Sequence, residues 1–441
     1  MSIDAFHACN RFGLGPRGDE LRTIASDPRG WLRDQLKNPQ TPVLVTTRLA
    51  GHTLVKQKSD MGQQQRGLRD NAGNVVPLRK IYMAETANRM AAHTQTPQGF
   101  VERQVMFWSN HFTVSIQKNI LTGIVNRYEA EAIRPHINGH FKDMLLAVAH
   151  HPAMLMYLDN AQSIGPNSRA GQRRSKGLNE NYARETLELH TLGVNGGYTQ
   201  DDVIALARIL TGWSLAGEQS EPLLEFQFRP NVHESGSKTL LGKTFTENGE
   251  GEAVAALTML AQHPATARHI ATKLARHYIA DTPPEDAIAA LEKTYIATDG
   301  HIPSIMETLV GLDAAWATPL AKVKTHYEYA VSAFRALGIV PEDEQAVKAL
   351  AALNYRAFDA PSPQGYPDTA ADIISPDAIL KRIDWAHALS TRVPASVVPL
   401  DLVSKILGQA ATDRTKLTIQ QAASGQDGIA FLLISPEFQR R

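Results

Sequence analysis

Thiols, long apolar runs and net charge are all scarce in this chain of 441 residues. Its single cysteine, Cys9, excludes an intramolecular disulfide framework. No thiolate-activating motif surrounds Cys9, so it is expected to be a buried structural thiol. No apolar run approaches the ~20 residues that a membrane helix needs. The longest candidate, Met144 to Met156, is interrupted by His150, His151 and Pro152. Lys plus Arg equals Asp plus Glu at 45 each. That balance removes the global basic field on which nucleic-acid and anionic-membrane binding depend, and no nucleic-acid partner is expected. The N-terminus has neither a basic start nor an apolar stretch after it, so it reads as no secretory signal, and the sequence by itself points to the cytoplasm. Familiar active-site signatures are absent too. There is no Walker loop, no Gly-x-Gly-x-x-Gly after a strand, no Gly-x-Ser-x-Gly elbow and no His-Glu-x-x-His. Gly13-Leu-Gly15-Pro16 lacks a third glycine and reads as a turn.

What is present is helical periodicity. Apolar residues recur at three- and four-residue spacing over Val101 to Ser109, Ile124 to Ile133, Phe141 to Ala149, Asp201 to Leu210, Glu252 to Leu260, Ala265 to Tyr278, Ala287 to Tyr295, Ile302 to Leu312 and Tyr327 to Leu337. The expected fold is mainly α: a single multi-helix orthogonal domain over 1–441, with a small β-ribbon insertion over 214–250. The strands of that ribbon are expected at Leu223 to Phe228 and Thr239 to Phe245, the only runs with strand-like alternation or β-formers. Gln57 to Asn74 reads as a polar loop. Gln162 to Gly177 reads as a second loop with basic residues, either solvated surface or a lid over an anion. Thr199-Gln-Asp-Asp202 predicts a capped helix start after the Asn195-Gly-Gly197 corner.

The densest chemistry lies in Leu178 to Gly193, which carries Asn179, Asn181, Arg184, Glu185, Glu188 and His190. On a helix Asn181, Glu185 and Glu188 share one stripe, and Ala183, Leu187 and His190 share its neighbour. The window contains no lysine and interleaves its acids with Leu and Tyr, which favours a partly buried face. His111, in Phe107-Trp-Ser-Asn-His-Phe112, and Asp159 are further candidates. As hard donors, His111, Glu185, Glu188 and His190 would suit a divalent metal ion, the one cofactor expected. Glu185, Glu188, Arg184 and Asp159 are the candidate catalytic groups. Two alternatives compete. Arg184 would engage the acids structurally, and the same groups would form a buried polar network in a non-catalytic envelope or assembly protein.

Taken in order, Asn10-Arg-Phe-Gly-Leu-Gly-Pro16, Phe107 to Phe112, His151-Pro-Ala-Met-Leu-Met-Tyr-Leu-Asp-Asn160, Asn179 to Gly193, Gly197-Tyr-Thr-Gln-Asp-Asp-Val203, Leu210-Thr-Gly-Trp213, His263-Pro-Ala-Thr-Ala267 with Lys273-Leu274, and Ser435-Pro-Glu-Phe-Gln-Arg440 resemble the bacterial family of unknown function DUF1800. The resemblance implies one family-length unit and no assigned reaction. It also implies an envelope or exported setting beside a second exported family, whose product is a possible partner. Tyr366 and His326-Tyr327 stand where the family pattern favours Trp and Pro.

Overall fold

The computed structural model describes residues 2–44, 46, 52–58, 64–173, 177–216 and 224–441. Helices dominate, and their bounds follow the apolar periodicity: Gly99–His111, Phe141–His150, Gln200–Leu210, Glu250–Ala261, Pro264–Tyr278, Glu285–Ala297, Ile302–Gly311 and His326–Leu337. Two starts share one device. His151 and His263 each stand just before a proline at the first helical position, and the Nδ1 of each accepts the N–H of the alanine two residues on at 3.1 Å. Proline supplies the helical φ and lacks the N–H that would go unsatisfied there.

One buried apolar cluster runs from Ala5 to Phe438 and draws on nearly every helix. Trp213 belongs to it, with no exposed surface and its ring stacked on His150 at 4.0 Å between centroids. In three places the helical ladder widens to i→i+5 bonding, at Ala8–Phe12, Glu129–Ile133 and Thr186–His190. Such π-turns rotate the following side chains relative to the 3.6-residue rows. Each of these turns places a buried polar residue inward: Arg11, Glu129 and His190.

The β structure departs from expectation. The two anticipated strands do not pair with each other. Phe226–Phe228 pairs antiparallel with Trp213–Leu215, and Lys238–Leu240 pairs with Lys243–Phe245. The second run therefore folds on itself, because Leu241 and Gly242 both take positive φ, 49° and 76°, the backbone of a tight two-residue hairpin turn. Leu223 lies outside the described residues. Gln57 to Asn74, read as a polar loop, holds the strand Gln64–Asp70 and the end of His52–Lys58, which with Val75–Pro77 form a three-stranded antiparallel sheet.

At the Gln200–Leu210 helix both halves of the capping box form. Thr199 Oγ1 accepts the Asp202 N–H at 3.3 Å, and Asp202 Oδ2 accepts the Thr199 N–H at 2.9 Å. Asp202 also accepts the Leu241 N–H at 2.7 Å, which ties the hairpin to the helix. Thr199→Ala should therefore cost about 1 kcal/mol, measured as a shift in denaturant midpoint at unchanged slope.

Candidate functional site

The acid-rich window forms the helix Asn181–Glu185 and continues as the π-turn Thr186–His190. Ala183, Leu187 and His190 are buried, whereas Asn181 is exposed and Glu185 and Glu188 are half-buried. Arg184 reaches Glu180 at 3.1 Å and Glu188 at 3.8 Å and donates to Gln200 at 2.9 Å. Glu185 is pushed above the usual carboxylate range by burial and then by Glu188. Asp159, in the left-handed region at φ 62°, is paired with Lys118 at 2.6 Å. Asp159, Arg184, Glu185, Glu188 and His190 do not line the large cavity described next, and of the candidate residues only His111 does. The ring centroids of His111 and His190 lie 6.3 Å apart. Among the described residues no group of three or more His, Cys, Asp or Glu is gathered to hold a metal ion. Arg174 and Lys176 of the basic loop lie outside the described residues.

The cavity, of about 440 Å³, opens where the helices Gly99–His111 and Pro264–Tyr278 meet the segment that ends at Asp372. That segment is pinned from below. Asn110 donates to the Tyr366 carbonyl at 2.9 Å and accepts the Tyr366 N–H at 2.7 Å. Gly365 is required in this clamp: at φ 91° a Cβ there would stand 2.6 Å from the Asn110 carbonyl oxygen. Two residues on, Asp368 Oδ2 meets His277 Nδ1 at 3.2 Å, and the Asp368 carbonyl accepts from Lys322 at 2.6 Å.

The Pro264–Tyr278 helix carries the chemistry. His269, Lys273 and His277 follow one another at four-residue spacing along one edge of its buried face. His269 Nε2 lies 3.0 Å from the Leu189 carbonyl, and its ring is 6.1 Å from that of His111. Lys273 lines the cavity, and its amine has no hydrogen-bond or ion-pair partner among the described residues. Burial, followed by Arg276, pushes Lys273 down to about 8 against the pull of Asp368.

The histidines stay neutral. Burial holds His190 down to about 3 and His269 and His277 to about 4, and it drives His111 well below its ordinary value, with Lys273 adding to the effect. Burial also acts on Asp368, but the hydrogen bond from His277 overcomes it and keeps the carboxyl well below the carboxylate range. Hydrogen bonding fixes the tautomers. A neutral His277 must carry its proton on Nδ1 to serve Asp368, which leaves Nε2 a bare acceptor. That atom is buried without a partner among the described residues. His111 Nε2 faces the His190 carbonyl at 3.2 Å, so its unpartnered atom is Nδ1.

Beneath the cavity lies an ionic layer. Arg89, on the wall, reaches Glu129 at 2.7 Å and lies 5.0 Å from the rings of Tyr327 and Phe358. Glu328 engages Arg103, and Arg441 at 3.1 Å. Arg103 in turn donates to the Gly13 carbonyl at 2.6 Å. The Asn10 to Pro16 motif is thus architectural: Arg11 caps the Pro264–Tyr278 helix by donating to the Tyr278 and Ile279 carbonyls.

Sequence reasoning missed Lys273, His277 and Asp368. The available signal was the His-x-x-x-Lys-x-x-x-His spacing on an amphipathic helix whose buried residues include Ile270, Ala271, Leu274 and Ala275. The profile of the family described as protein of unknown function (DUF1800) matches residues 7–440, and the chain belongs to that family. No curated protein and no solved structure matches it.

Proposed function

We propose that this DUF1800 member binds a small anionic molecule in the cavity and performs acid–base chemistry on it. Lys273 and Arg276 supply the positive charge, and the His277–Asp368 pair supplies an oriented base. The observation that carries this reading is a Lys273 amine that lines a cavity without a partner among the described residues, beside a histidine whose Nε2 likewise has none among them. A titratable group displaced toward neutrality in a concave site is the usual mark of function. Lys273 divides between amine and ammonium near neutral pH, so it can both attract an anion and exchange a proton. Met106, Phe107, Val114 and Phe358 offer apolar contact to a carbon skeleton.

Calorimetry with oxalate, pyruvate and inorganic phosphate at pH 7 tests this. At least one should bind, weaken about tenfold or more in Lys273→Met, a loss of about 1.4 kcal/mol, and be unaffected by Glu185→Gln. No binding, or equal binding by Lys273→Met, would remove the reading. A purely architectural role for the cluster predicts instead that Lys273→Met, which keeps the volume and drops the charge, is neutral or stabilising and silent in every binding assay.

A second reading follows from the nitrogens of His111 and His190 that have no partner among the described residues: these two rings, 6.3 Å apart between centroids, share a divalent ion. It predicts near-stoichiometric metal in purified protein that is lost in His190→Gln. Glu188 is paired with Arg184, which leaves two imidazoles alone and makes this the weaker of the two.

A further inference from the structure

We infer that the cavity takes a small 2-oxo acid and that Lys273 condenses reversibly with its carbonyl group. This rests on the anion-binding reading above and goes further, because it names the ligand's reactive group and the bond it forms.

A lysine kept only for charge pairing is best served by an exposed or paired ammonium. Lys273 has neither full exposure nor a partner among the described residues, so the cavity eases loss of its proton and makes the neutral amine, the nucleophilic form, available near neutral pH. The remaining parts of a condensation site surround it. His277 stands one helical turn away, four residues along the same edge, where Cβ atoms are about 6 Å apart. Asp368 holds the His277 proton on Nδ1 at 3.2 Å, so Nε2 can take a proton from the attacking nitrogen. Arg276 lines the same cavity and has no ion-pair partner among the described residues. Its guanidinium matches a carboxylate geometrically. Phe107 and Met106 form the apolar wall on which a short carbon chain would rest.

The step balances without a co-reactant. The Lys273 nitrogen bonds to the carbonyl carbon, and the carbonyl oxygen becomes a hydroxyl. Nε2 of His277 carries the two protons of the amine to that oxygen in turn, the first making the hydroxyl and the second releasing it as water, so that a carbon–nitrogen double bond joins ligand and lysine. Hydrolysis reverses each event.

Reductive trapping tests the inference. The full chain is incubated with pyruvate and sodium cyanoborohydride, then analysed by intact mass and peptide mapping. One reduced pyruvate unit per chain, mapped to Lys273, is expected. Lactate, which has the carboxylate but no carbonyl, should slow the trapping by competition and form no adduct itself. His277→Gln should trap on the order of a hundredfold more slowly with lactate binding unchanged. Calorimetric pyruvate binding that depends on Lys273, without an adduct or with adducts scattered over surface lysines, would overturn the condensation and leave the anion site standing. Absence of both binding and adduct would overturn the two together.

Discussion

Glu129→Gln should destabilise the protein by about 3–5 kcal/mol, the cost of leaving a buried charge without its counter-ion. Glu129 has no exposed surface and accepts from Arg89 at 2.8 and 2.9 Å, from Arg134 at 2.9 Å and from Ser109 at 2.8 Å. Arg134 keeps Glu102, at 2.8 and 2.9 Å. Arg89 has no second carboxylate partner among the described residues and would be left facing Tyr327 and Phe358 on the cavity wall. The amide is nearly the same size as the carboxylate, so the loss reports charge and not volume. Arg184→Ala is the contrast: its partners are half-exposed, and such pairs contribute roughly 0.3–0.5 kcal/mol. Denaturant unfolding of the two variants checks the difference, and equal midpoints would show that the layer under the cavity is not under electrostatic load.

Stability should also fall steeply between pH 6.5 and 4. His190, His269 and His277 titrate at about 3, 4 and 4 in the folded chain, and His111 lies well below its ordinary value. An unfolded histidine titrates near 6.5. Because the folded values are depressed, the stabilisation is complete above about pH 6.5 and is lost as the pH falls toward the folded values, where the unfolded chain binds more protons. Each such group contributes a slope of about 1.4 kcal/mol per pH unit in that window, and the four together about 5, enough to unfold a domain of ordinary stability within one or two pH units. Glu129 and Asp368 act later, since their folded values lie below the carboxylate range and their contribution fades only at lower pH. Denaturant midpoints measured from pH 7.5 to 4.5 read this directly, and a flat profile between 6.5 and 5 would contradict it.

The parts of the fold that sequence reading anticipated are those set by local periodicity. The apolar rows of Gln200–Leu210 and Pro264–Tyr278 mark their own helices, and Thr199 and Asp202 announce the capping box. The two stripes of the 181–190 segment also separate as expected: Ala183, Leu187 and His190 are buried, whereas Asn181 is exposed and Glu185 and Glu188 are half-buried. The sheet at 52–77 was hidden because its strands are rich in Gln, Lys and Arg. Over Arg66 to Asp70 the buried residues are the neighbours Gly67 and Leu68, so no alternation betrays the pairing that the backbone makes. The cavity was hidden for a different reason. Lys273 and His277 look like solvated positions on an amphipathic helix, and what gives them meaning is Asp368, 91 positions away from His277 on a segment held by the Asn110 clamp. Local spacing cannot disclose such a contact. The acids at 185 and 188 lie on a half-buried face, where Glu188 pairs with Arg184.

If Lys273 is a working amine in a ligand cavity, its own titration shows it most directly. The pH dependence of acetylation at Lys273 by limiting acetic anhydride, read by peptide mass spectrometry, should show a midpoint near 8 and protection by a bound anion such as oxalate. A midpoint near the ordinary lysine value of about 10.4, or labelling that no small anion slows, would contradict the account.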